Sequence, residues 1–99
     1  MQFLKQSIYA LFIFLIQSYF HRMDEDEFIT TLAQRIKKLR IEKGLTQFDV
    51  ATKMGIEDSS YRKIESGRTN PTARTLYKLA EALDVSVGDL FSEEDFKTL

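Results

Sequence analysis

The chain has 99 residues, a formal net charge of −1, one histidine and no cysteine. That length holds one domain with one core, and leaves no room for a second domain that senses a small molecule. The absence of cysteine excludes a disulfide framework or a thiolate metal site and fits a reducing cytoplasm.

Residues 1–22 stand apart from the rest of the chain. They contain the run Ile8-Tyr9-Ala10-Leu11-Phe12-Ile13-Phe14-Leu15-Ile16, shorter than the roughly 20 apolar residues that span a bilayer. Extending the run in either direction admits Lys5, Gln6, Ser7, Gln17 and Ser18. A lysine followed by an apolar stretch is like a secretory signal, but no small-residue cleavage pattern comes after it. Three readings compete for this segment. Translation could start at Met23, making residues 1–22 a reading-frame extension; the segment could be a hydrophobic docking helix; or it could tether the protein to a membrane, the weakest of the three.

From Met23 the pattern becomes that of a folded unit, expected over residues 23–92 with an acidic tail over 93–99. Asp24-Glu25-Asp26-Glu27 suits a helix N-terminus. Phe28, Leu32, Ile36 and Leu39 then recur at helical spacing, giving an amphipathic first helix that ends at Lys43. Gly44 can close it in a left-handed conformation, and Thr46 with Asp49 has the form of a capping box for a second helix, Gln47 to Met54. Val50, Ala51 and Met54 form its inward face. Gly55 allows a sharp turn and Ile56 packs it. A third helix runs from Asp58 to Ser66 and stops at Gly67, with Tyr61 and Ile64 facing the core. Asp58, Ser59, Arg62 and Lys63 fall on its outer face.

After Pro71, Thr72 caps a helix bearing Leu76, Leu79, Ala80 and Leu83. Ser86 with Asp89 opens a short fifth helix carrying Val87, Leu90 and Phe91. The tail holds only Phe96 and Leu99 as apolar anchors; it extends helix five, joins a dimer contact or frays, and fraying is the default for a terminus. The whole is an all-α, five-helix bundle with an extra hydrophobic N-terminal segment.

The charge is segregated along the chain. From Gln34 to Lys78 there are eleven bases against five acids, net +6, whereas Leu79 to the end is net −5. Such runs are usually solvated helix faces. Here the basic block coincides with the two-helix unit, as a phosphate footprint would. His21 has no partner ligands nearby and reads as a surface residue rather than a metal site. No Ser/His/Asp arrangement or glycine-rich phosphate cradle supports an enzyme, and no cofactor or metal is expected.

The ordered string Gly44-Leu45-Thr46-Gln47, Val50-Ala51, Met54-Gly55-Ile56, Ile64-Glu65-Ser66-Gly67, Asn70-Pro71 and Leu79-Ala80-Glu81-Ala82-Leu83 resembles the lambda-repressor and Cro type of helix-turn-helix regulators. The likeness runs from about Ile36 to Phe91. It implies a five-helix, lambda-repressor-like DNA-binding bundle acting as a homodimer on a two-fold, palindromic operator in double-stranded DNA. Residue by residue, it implies that Gln47 meets a phosphate, that Asp58, Ser59, Arg62 and Lys63 face base edges or flanking phosphates, and that Ser66, Arg68, Thr69 and Asn70 grip backbone. Arg40 and Glu65 match a charge pair tying the first helix to the end of the third.

Two departures bear on this. Where family members open the third helix with Ser or Thr, this chain has Glu57 and Asp58, which suit the helix dipole but repel phosphate. Asp58 either accepts a hydrogen bond from cytosine or pairs with Arg62 and orients it. Phe48 and Tyr61 also stand where a polar and an aliphatic residue are commoner; Phe48 is expected to be half-exposed, a weak pointer to a protein contact. The function expected is a small cytoplasmic repressor or autoregulator; the rival is a protein-interaction module, such as an antitoxin or tethered partner, that keeps the fold with little direct DNA reading.

Overall fold

The computed structural model describes residues 2–19, 23–91 and 93–96. His21, expected at the surface, and Leu99, expected as an apolar anchor, lie outside the described residues. The helices are α1 (Gln2–Tyr19), α2 (Glu25–Glu42), α3 (Gln47–Met54), α4 (Asp58–Glu65), α5 (Ala73–Leu83) and α6 (Glu93–Phe96), with a 3₁₀ turn at Val87–Leu90 between the last two. Among the described residues there is no strand.

Local chemistry sets most of the boundaries. Asp24 caps α2, its Oδ1 accepting from the Glu27 amide at 2.8 Å. Thr46 and Asp49 form a full capping box on α3, at 3.0 and 2.8 Å. Gly55 closes α3 at φ +70°, a left-handed conformation that strains any residue with a Cβ. Glu57 occupies the cap position of α4 without a side-chain capping bond, so the start of α4 is favoured by carboxylate charge, from Glu57 and Asp58, and not by a capping hydrogen bond. The helix ends one residue before the expected Ser66, which is the C-cap of α4; its amide still bonds back to Arg62, but Gly67 turns left-handed beyond it and the helix cannot continue. Thr72 caps α5 through the Thr75 amide.

Helices α2 to α5 wrap one core. Leu32, Ile36 and Leu39 of α2 meet Val50, Ala51 and Met54 of α3, Tyr61 and Ile64 of α4, and Leu79, Ala80, Ala82 and Leu83 of α5. Helix α3 packs on both α4 and α5, and α4 also on α2. This fixes the α3–α4 angle by burial on three sides.

Two differences from the sequence reading lie at the C-terminal end. The Ser86–Asp89 capping box forms, but it opens the 3₁₀ turn and not an α-helix. Four residues of the tail then fold back as α6, and Phe96 is buried against the rings of Phe28 and Phe91, with centroids at 5.2 and 5.4 Å. Fraying is overridden there by aromatic burial.

Among the described side chains, none from α1 joins this core. Ile8, Tyr9, Leu11, Phe12, Ile13, Phe14 and Leu15 are all exposed. Among the described residues, no helix is long and apolar enough to cross a membrane.

Candidate nucleic-acid interface

Tyr61, Ile64 and Glu65 turn inward from α4, and Tyr61 is fully buried. By helical periodicity the opposite face is left outward, and Ser59, Arg62 and Lys63 are exposed there. Asp58 lies on the same face and pairs with Arg62 one turn on, Oδ2 to Nη2 at 2.9 Å.

Behind this face sits a buried cluster. Arg40 of α2 donates from Nε and Nη2 to the two carboxylate oxygens of Glu65, at 2.8 and 2.7 Å, and from Nη1 to the Leu45 carbonyl at 2.9 Å. The side chains are 13% and 3% exposed, so solvent screens the pair little. The planar fork of arginine fits this bidentate geometry in a way that lysine could not. Burial, the largest single influence, pushes the Glu65 carboxyl up, but the Arg40 hydrogen bonds and charge, with Tyr61 and Gln47 adding to them, together outweigh it and hold Glu65 below the usual carboxylate range. The same bond to Glu65 raises Arg40. The Tyr61 hydroxyl lies beside the pair, and burial, with the adjacent carboxylate, drives its ionisation far above the ordinary phenol range. All three groups therefore keep fixed protonation states at neutral pH.

Gln47 joins this cluster, which spacing did not foretell. Its side-chain amide donates to Glu65 Oε1 at 3.4 Å, while its backbone amide stands at the positive end of the α3 dipole. A residue expected to meet phosphate is thus held from behind by the same carboxylate that ties α2 to α4. The remaining amide N–H of Gln47 Nε2 is still available to an outer acceptor.

The loop after α4 is organised by its own polar groups. Ser66 Oγ donates to the Lys63 carbonyl at 3.1 Å and accepts from Arg68 Nε at 2.8 Å. Arg68 and Asn70 are exposed and Thr69 is half-buried. A groove of about 340 Å³ runs from this loop between α4 and the start of α5, lined in part by Ser60, Lys63, Asn70, Arg74 and Lys78. Arg74 and Lys78 belong to the basic block, yet the motif resemblance gives them no place in the site. Their one-turn spacing on the outer face of α5 is the signal that could have found them. Phe48, expected to be half-exposed, is 67% exposed. Among the described residues no cluster of His, Cys, Asp or Glu could hold a metal ion.

A helix, a glycine turn and a second helix with a polar outer face, flanked by a basic loop, form the arrangement of a helix-turn-helix. Comparison with known proteins agrees. The helix-turn-helix family model matches residues 36–90. The uncharacterized HTH-type transcriptional regulator y4dJ of Sinorhizobium fredii is 47% identical over 58 residues, which is 59% of this chain and 75% of that one. The immunity repressor protein of Bacillus phage phi105 is 41% identical over 64 residues, 65% of this chain but only 44% of that repressor. The restriction-modification controller protein C.AhdI from Aeromonas hydrophila superposes with a TM-score of 0.62 at 35% identity, over 64% of this chain and 96% of the controller. The chain belongs to the helix-turn-helix family of the lambda-repressor and Cro type, whose members are DNA-binding transcriptional regulators and not enzymes.

Proposed function

We propose that this protein is a small cytoplasmic repressor that binds a palindromic operator as a homodimer and is governed by its own concentration or by a partner protein. The observation that carries the proposal is the outward face of α4, with Ser59, Arg62 and Lys63 exposed directly opposite the buried Tyr61 and Ile64. In this reading Arg62 and Lys63 reach base edges in the major groove, guanine O6 and N7 being their natural acceptors. Gln47 meets a phosphate through its backbone amide and its second side-chain N–H, and Ser66, Arg68, Thr69 and Asn70 grip the backbone on the other side. The similarity to the phi105 immunity repressor and to the restriction-modification controller C.AhdI supports a repressing or controlling role.

The test is selection of duplex DNA from a random pool by the full chain. Enrichment of an inverted repeat, with half-site centres about one helical turn apart, is the expected result. Binding should weaken by about a thousandfold between roughly 50 and 200 mM salt if each dimer neutralises six or more phosphates. Replacing Arg62 and Lys63 together by Ala should cost about 2–6 kcal/mol per half-site, counting each good base contact at about 1–3 kcal/mol. No enrichment, or a selected site bound equally well by the double variant, would favour a protein-interaction module instead.

A further inference from the structure

Asp58 puts a carboxylate at the tip of the helix that faces DNA, where it should repel phosphate. Its two oxygens are disposed in different ways. Oδ2 accepts from Arg62 Nη2 at 2.9 Å, and Oδ1 is buried with no hydrogen-bond partner. One acceptor is occupied and the other is shut off from the surface. A direct hydrogen bond from a cytosine amino group would have to displace Arg62. Arg62 itself is 60% exposed, against 34% for Asp58. With one N–H engaged, a guanidinium retains four others in a fixed plane.

We propose that Asp58 is a positioning residue that sets the specificity of Arg62. It holds the guanidinium by one corner so that the free edge is presented outward before DNA arrives, and it cancels the charge that would otherwise bind phosphate anywhere. An arginine on a helix surface is a flexible cation, attracted to every phosphate and ordered only at a cost in entropy. An arginine held by a carboxylate one turn away forfeits part of that general attraction and keeps a planar hydrogen-bonding edge suited to guanine. As an ion pair on the surface the contact adds little to folding; what Asp58 contributes to the start of α4 comes from its charge at the helix N-terminus and needs no contact with Arg62. The inference rests on the DNA-reading proposal above.

Its two consequences are opposite in sign. Removing the Asp58 charge should strengthen binding to random duplex and weaken discrimination. The experiment takes the site selected by the full chain and a duplex with each guanine in it replaced in turn, and measures affinities for the parent, Asp58→Ala, Asp58→Asn and Arg62→Ala. Asp58→Ala should bind random duplex about threefold more tightly, the scale of one removed repulsive charge near phosphate. Its preference for the guanine that Arg62 reads should fall by about tenfold. Asp58→Asn, which keeps the shape and a weaker acceptor, should lie between, and in an Arg62→Ala background Asp58→Ala should leave the guanine preference unchanged. A rise on all duplexes by the same factor would reduce Asp58 to simple repulsion and overturn the inference. So would a preference lost at a cytosine in place of a guanine, which would make Asp58 a direct reader. If the parent chain enriches no sequence at all, the DNA-reading proposal fails first; if it enriches a site and the preference survives both Asp58 variants, only the positioning role fails.

Discussion

Glu65 is a carboxylate taken almost wholly out of water, and its position is tolerable only because Arg40 meets both oxygens. Removing one partner of such a pair leaves an uncompensated buried charge, so Arg40→Ala should destabilise the bundle by about 3 kcal/mol. In a domain of this size that lowers the melting temperature by roughly 15 °C. Calorimetry checks it, and equal melting temperatures for variant and parent would remove the pair from any structural account. The pair also sets a pH dependence. Because the folded Glu65 pKa lies below its ordinary value, its contribution is fully present above the ordinary carboxylate range and is lost as pH falls through the depressed folded value. The stability gap between parent and Glu65→Gln, read from urea midpoints, should therefore narrow on going from pH 7 to pH ~3. A gap that widens in acid would reverse the sign of the shift. The motif resemblance names the Arg40–Glu65 pairing, but not the Gln47 contact. Nothing in spacing along α3 tells which of two directions a glutamine amide will take; only the tertiary placement of Glu65 decides it.

At the scale of the elements, the starts of α3 and of the last turn were legible because each is written in a local pair, Thr46 with Asp49 and Ser86 with Asp89, and the start of α5 in the single cap residue Thr72. Stops marked by glycine were equally readable. The stop of α5 was not, since it falls on Asp84, a residue with a Cβ held in the left-handed region at φ 56°. Aspartate tolerates that conformation better than most residues but is still strained by it. Asp84→Gly should therefore stabilise the protein by about 0.5–1 kcal/mol, a rise of several degrees in melting temperature. Gly55→Ala should do the opposite by about 1 kcal/mol, although its new Cβ would meet no atom within 4 Å, because the cost lies in the backbone alone. If Asp84→Gly melts at or below the parent temperature, the carboxylate contributes something there that outweighs its strain. The type of the last elements was beyond sequence reading for a different reason. A capping box specifies where a helix begins but not whether it continues as α or 3₁₀, and α6 depends on Phe96 finding Phe28 and Phe91, the first of them far away in the chain.

Across the whole molecule, the apolar surface is divided between a part that is packed and a part that is not. Among the described residues, the core begins at Leu32, with Met23 and Phe28 resting on its edge. The Cα radius of gyration is 19.0 Å, with a long axis of 67 Å, whereas a compact chain of this length has a radius of about 13 Å. Helix α1 accounts for the excess: Ile8, Leu11, Phe12 and Leu15 form a stripe at helical spacing, Tyr9, Ile13 and Phe14 cover other sides, and all are exposed. Apolar side chains that circle a helix and are buried on no side add nothing to the free energy of the bundle, and expose a surface that favours association. A chain starting at Met23 should therefore melt within about 3 °C of the full chain, since none of these core contacts is removed. It should also bind the selected DNA with unchanged affinity, and the full chain should be the more prone to associate as concentration rises, which sedimentation of the two forms would measure. The independence of the bundle would be refuted if the shorter chain failed to fold, or melted at least ~10 °C lower, as loss of about 2 kcal/mol of packing would require. That outcome would make residues 1–22 a docking helix for the bundle, with Met23 and Phe28, already at the edge of the core, as the first place to seek its seat.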